Sequence, residues 1–242
     1  GIFNVDDDAS QEIKAEEGER LVSKVGLSLS YDTRNTEHFD TIRKKQIPLI
    51  FFDRVIEYPN CTSIVIDNVK AGYDATMHLI SQGCRRIVHV GGSLNRNVYA
   101  DRLAGQKKAL TEKGISFDPQ LVISNNLSDQ EGTEAAQKIL QMNPRPEGIF
   151  PANDTSGVAI MRELRQAGVR IPDDIAIVGF NNDPISKVIE PQLTTVNYPG
   201  EEMGEVSAST LINRLKEVPA ANLNTIVLRH ELIVRESSLR KK

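Results

Sequence analysis

Apolar residues in this chain come in short runs, and each run stops on polar side chains. Leu49–Ile50–Phe51–Phe52 ends on Asp53, and Ile87–Val88–His89–Val90 runs into Gly91–Gly92 ahead of Arg96 and Arg102. Ile149–Phe150 leads to Asn153–Asp154, and Ile175–Ala176–Ile177–Val178–Gly179–Phe180 leads to Asn181–Asn182. Helical patterns fill the intervals. Asp67–Asn68 can cap a helix carrying Ala71, Ala75 and Leu79 on one face, with Gly83 as its stop. Further helices are predicted over Arg102–Lys113, Gln130–Met142, Asp154–Ala167 and Glu201–Lys216. Leu121–Ile123, Leu193–Tyr198 and Thr225–Val234 read as extended. Upstream, Gly1–Val5 reads as a strand, followed by a charged helix to about Lys24, an extended Leu27–Ser30 and a second charged helix near Thr36–Lys45. Short runs alternating with helices predict a parallel sheet, and such sheets bind ligands beyond the carboxyl ends of their strands.

Composition narrows the chemistry. A chain of 242 residues can form one large α/β unit or two lobes. Its net charge of −4 argues against a broad face for nucleic-acid phosphates. Cys61 and Cys84 are too few for a disulfide framework and lack zinc-ligand spacing, so two buried thiols are expected. No run approaches the roughly 18 apolar residues of a membrane span, and no basic region precedes an apolar signal core; a soluble, cytoplasmic protein is expected. His38, His78, His89 and His230 are scattered, none placed with a Ser or Cys as a nucleophile and its base. Gly91–Gly92–Ser93 matches neither GxGxxG nor GxxxxGK[ST]. These features point to a binder rather than an enzyme, with no cofactor or metal, and His89 is expected to pack in the core.

Several stretches occur together and in order: Leu79-Ile-Ser-Gln-Gly-Cys-Arg-Arg-Ile-Val-His-Val-Gly-Gly92, Arg102-Leu-Ala-Gly105, Ala152-Asn-Asp154, Ile171-Pro-Asp-Asp-Ile-Ala-Ile-Val-Gly-Phe180, Leu193-Thr-Thr-Val196 and Glu231-Leu-Ile-Val-Arg-Glu-Ser237. Over roughly Pro48 to Ser237 the chain resembles the effector-binding core of the LacI/GalR family of bacterial transcription regulators. The resemblance implies an α/β, periplasmic-binding-protein-like fold. It has two Rossmann-like lobes with parallel sheets flanked by helices and three interlobe crossings, near Ser63–Ile66, Asn197–Tyr198 and Leu223–Thr225. Residues 1–65 plus 198–223 would form the N-terminal lobe and residues 66–197 plus 224–242 the C-terminal lobe. Implied partners are a small sugar-like effector in the cleft, a second copy of the chain in a homodimer, and operator DNA. The DNA would be read through a helix-turn-helix headpiece that this sequence lacks, as it lacks the usual first strand and helix of the N-terminal lobe. A periplasmic sugar-binding protein of a transporter shares the two-lobed plan and is the alternative.

The resemblance also nominates ligand contacts. Arg102 would face the cleft, its removal sparing the fold; otherwise it is a surface arginine on the first turn of a helix, a poor place for a cation. Asp53 could accept sugar hydroxyls or pair with Arg54. Asn153 has the better claim to ligand, while Asp154 divides evenly between ligand contact and capping the next helix. Asn181 stands where most relatives carry aspartate, losing one negative charge but keeping a donor and an acceptor. Arg96 is a cleft contact or a solvated loop residue, and Tyr198 lines the cleft or packs the hinge. Leu127 occupies a place where some relatives present an aromatic ring, with Phe52 and Tyr99 as substitutes.

Overall fold

The computed structural model describes residues 42, 44–45, 47–55, 61–216 and 225–240. The elements expected from Gly1 to Ser30, and most of the helix expected near Thr36–Lys45, lie outside the described residues. Within them the order is β1 (Leu49–Phe52), β2 (Cys61–Ile66), α1 (Asn68–Ser81), β3 (Ile87–Gly91), α2 (Asn97–Glu112), β4 (Val122–Ser124), α3 (Asp129–Gln141), β5 (Gly148–Pro151) and α4 (Asp154–Gln166). Then follow β6 (Ala176–Asn181), the single turn α5 (Ile185–Val188), β7 (Thr194–Asn197), α6 (Gly200–Leu215), β8 (Thr225–Leu228) and β9 (Glu231–Ile233).

Two sheets result. One has the order β1-β2-β8, all parallel; the other has the order β4-β3-β5-β6-β7-β9, parallel except for β9 against β7. The larger sheet is buried on both faces because its strands are apolar on both. Along β5 and β6, Ile149 and Ile177 join a core with α3 and α4, whereas Phe150, Val178 and Phe180 join one with α1 and α2. That second core also takes in Ile64, Ile66 and Leu228 of the smaller sheet and Met203 of α6, so it runs from sheet to sheet. Full burial of such side chains contributes about 1.5–3 kcal/mol each.

Four expectations need correction. The last stretch is not one strand: Thr225–Leu228 pairs with β2, and the chain turns at Arg229–His230 before Glu231–Ile233 pairs antiparallel with β7. The third crossing therefore follows Leu228 instead of preceding Thr225. Alternating side chains look alike in either sheet, so periodicity could not divide the run. The second helix starts at Asn97, not Arg102, because Val98 already packs inward a turn earlier. Near the C-terminal end Ser237 is anchored: its Oγ donates to Ile177 O at 2.7 Å and accepts from Thr194 N at 2.8 Å. Of the two thiols, Cys84 is buried and raised to about 11 by that burial, whereas Cys61 is only half-buried. His89 is fully buried as expected, its Nδ1 2.9 Å from Gln106 Oε1, and desolvation lowers it to about 4.

Candidate functional site

The carboxyl ends of β1, β5, β6 and β7 converge on one cavity of about 380 Å³. It is lined by Asp53 and Arg54 after β1, by Val98, Tyr99 and Arg102 of α2, and by Ala152 and Asn153 after β5. Asn181 and Asp183 at the end of β6, with Tyr198 and Gly200 where β7 leads into α6, close the ring. Both sheets thus contribute, as expected for a cleft between strand ends. The volume falls in the range of about 300–1,000 Å³ usual for small-molecule sites. Backbone conformation marks two of these spots: Asp53 (φ 58°) and Asn181 (φ 111°) are left-handed, as are Asn182 (φ 60°) next to it and Leu127 (φ 61°) outside the lining. Asp and Asn tolerate that region better than most residues, and such strain concentrates at ligand sites.

Arg102 is the buried pole of the cavity, only 4% exposed. Its Nε donates to Asn68 Oδ1 at 2.9 Å and its Nη1 to Ala152 O at 2.8 Å, and the guanidinium lies 3.5 Å from the Phe180 ring centroid. Burial lowers it to about 10, against the nearby Asp53 carboxylate, which favours the charge. Arg102 is therefore a structural tie as well as a ligand candidate. The argument from a helix first turn falls away, because Arg102 sits more than a turn inside α2.

The capping role falls to Asn153, and Asp154 serves neither as cap nor as cavity lining. Asn153 Oδ1 caps α4 by accepting from Ser156 N at 2.9 Å, and its Nδ2 donates to Leu127 O at 3.0 Å, while the residue still lines the cavity. Asp154 does not line it. Its fully buried carboxylate accepts from Thr195 Oγ1 at 2.7 Å and from Asp183 N at 2.8 Å, fastening β6 and β7 to the start of α4. Burial pushes Asp154 up to about 7, although those hydrogen bonds favour ionisation.

That shift has a measurable sign. A carboxyl raised in the folded state stabilises fully below the unfolded value near 3.9, and the contribution is lost as pH rises through about 7. Relative to an Asp154→Asn variant, the native chain should gain about 1 kcal/mol on going from pH 8 to pH 6. His89 works the other way in both proteins, so the difference between paired urea titrations isolates Asp154. A pH-independent difference would refute the buried, easily protonated carboxyl.

Arg96 is exposed on the loop before α2 and does not line the cavity. Leu127 is 3% exposed, packed in the core behind Asn153. Phe52 also stays outside the lining, whereas Tyr99 joins it. Tyr198 lines it at the crossing; its hydroxyl is 2.7 Å from Met203 Sδ, and burial together with the Asp53 carboxylate raises its ionisation well above the usual phenol range. Arg54, Val98 and Asp183 were not expected. Val98 and Tyr99 lie four and three residues before Arg102, hence on the same helix face, a spacing visible in the sequence. Asp183 offered no comparable cue. Its position follows from Arg235, which donates to Asn182 Oδ1 and Leu193 O, each at 2.6 Å, and holds the β6 tip in place. Among the described residues no group of three or more His, Cys, Asp or Glu side chains could hold a metal ion, and no helix is long and apolar enough to cross a membrane.

Residues 76–238 match the periplasmic binding protein-like domain family. The HTH-type transcriptional regulator RegA of Clostridium saccharobutylicum is 36% identical over 180 residues, covering 73% of this chain and 53% of that protein. The ribose operon repressor of Haemophilus influenzae is 32% identical over 191 residues, covering 79% and 57% respectively. The chain thus spans about half the length of these curated relatives. A solved complex of the transcriptional regulator CelR with cellobiose superposes with a TM-score of 0.78 at 29% identity, covering 89% of this chain and 69% of the other.

Proposed function

Because this chain belongs to the periplasmic binding protein-like domain family, in the form found in the effector-binding cores of LacI/GalR-type regulators, we propose that it is the ligand-sensing core of a transcription regulator. Its ligand is a small polar metabolite of the sugar class, held between the two sheets. The observation that carries this reading is the shared cavity: Asp53 and Arg54 approach it from the smaller sheet, and Arg102, Asn153, Asn181 and Asp183 from the larger. The ribose repressor and the CelR–cellobiose complex support a sugar by their names.

A molecule gripped from both sides favours one inter-sheet angle over another. Only its difference in affinity for the two angles can do work on the rest of the protein. By analogy with the HTH-type relative, that work is exerted on operator DNA through a helix-turn-helix segment, in a homodimer working in the cytoplasm. The role is binding and transmission, without turnover of the ligand.

The test is a thermal-shift screen of this chain against neutral sugars, acidic sugars, sugar phosphates and purines. A ligand at about 100 times its Kd stabilises by about 2.7 kcal/mol. A chain of this size moves by about 2–4 °C per kcal/mol, so at least one compound should raise Tm by roughly 5–10 °C. A flat response across the panel would sink the sensing reading.

A further inference from the structure

The cavity has two unlike walls. Arg102 and Arg54 stand around the Tyr99 ring, their guanidinium carbons 5.8 and 5.9 Å from its centroid, and Arg54 acts on Arg102 as a like charge. Arg54 Nη2 reaches Tyr99 Oη at 3.3 Å, which holds its head over the ring. Asp53 is the carboxylate beside this pair, 3.7 Å from Arg54 Nε. The rest of the lining carries Asn153, Asn181 and Asp183, with the Asp183 carboxylate held by Asn181 Nδ2 at 3.2 Å.

On the cationic wall the charges do not cancel. Around the Tyr99 ring two guanidinium groups face one carboxylate, that of Asp53, which acts on Arg102. Donors are also left over. Among the described residues Arg102 donates through Nε and Nη1 alone of its five N–H groups, and Nε of the part-exposed Arg54 is covered with no hydrogen-bond partner. A buried charge without a full counter-charge is costly, and a planar guanidinium edge matches a carboxylate in a forked geometry.

We propose that the ligand is a sugar acid, its carboxylate received between Arg54 and Arg102 over Tyr99, and its hydroxyls by Asp53, Asn153, Asn181 and Asp183. The proposal rests on the sensing reading and narrows it. A monoanion restores neutrality on that wall, whereas a phosphate ester, with a charge of about −1.5 to −2, overshoots it. Arg54 is then the residue that sets specificity: a hydroxyl finds partners on the other wall without it, but a carboxylate does not.

The experiment is isothermal titration of this chain with glucuronate, galacturonate and gluconate, beside glucose, galactose and their 6-phosphates. At least one acid should bind roughly 10- to 100-fold tighter than its neutral parent. Arg54→Gln should erase most of that preference by weakening the acid far more than the parent, and raised salt should likewise weaken the acid more than the parent. A parent sugar or a 6-phosphate that binds as tightly as the acid overturns the proposal and leaves the sensing reading standing. So does an Arg54→Gln protein that loses acid and parent alike. Silence from every compound here, joined to a flat thermal-shift screen, brings down the sensing reading itself.

Discussion

Gly105→Ala should destabilise this chain by about 3 kcal/mol or more and lower Tm by roughly 6–12 °C. A β-carbon at Gly105 would fall on the Val69 carbonyl oxygen and 2.6 Å from Tyr73 N; one at Gly72 would fall on the Arg102 carbonyl oxygen. The two helices touch backbone to backbone, so no rotamer can relieve the overlap and α1 and α2 must separate. Separation draws Arg102 away from Asn68, and ligand-induced stabilisation should fall with it. Gly204→Ala is the matched control: its β-carbon meets nothing within 4 Å, and an alanine within an exposed helix stabilises by about 0.5–1 kcal/mol. Urea titration of both variants checks the pair. Equal, small effects would show that the helix contact is looser than described.

Arg102→Ala should cost both binding and stability. Asn68 Oδ1 and Ala152 O each lose a buried donor, at about 1–3 kcal/mol apiece, and the Phe180 ring loses its cation. Ligand-induced thermal stabilisation should vanish. The sequence alone led to the opposite view on stability, that the fold would be spared. Arg102→Lys separates the contributions: it keeps a positive charge but cannot serve Asn68, Ala152 and a ligand with one planar fork. It should retain more stability than the alanine variant while still losing most of the ligand response. Unaltered stability in Arg102→Ala, measured by the same titrations, would leave the buried tie without support.

Much of the larger sheet was legible because its strands and helices declare themselves locally. The cap at Asp67, with its side chain 2.7 Å from Lys70 N, and the apolar stripe Ala71, Ala75 and Leu79 follow from period and end chemistry. The strand ends at Asp53, Asn153 and Asn181 were readable for the same reason, since a buried run that stops on a polar residue marks the edge of a sheet. Arg102 and Tyr198 entered through resemblance, and both line the cavity. Arg96 and Leu127 entered the same way and do not, because a residue's neighbour in sequence says little about which side of a loop it faces.

By itself the sequence determined the α/β alternation, the positions of the strand tips and the residue types available there, since these depend on contacts within about one turn of helix or one strand. Tertiary structure alone decided which sheet claims Thr225–Leu228, that Asn153 caps while Asp154 is buried against Thr195, and that Arg54 joins Arg102 around Tyr99. Each of these turns on partners far apart in the chain: 41 residues separate Asp154 from Thr195, and 45 separate Arg54 from Tyr99. Hydrogen-bond satisfaction and burial select such partners only once the sheets have come together.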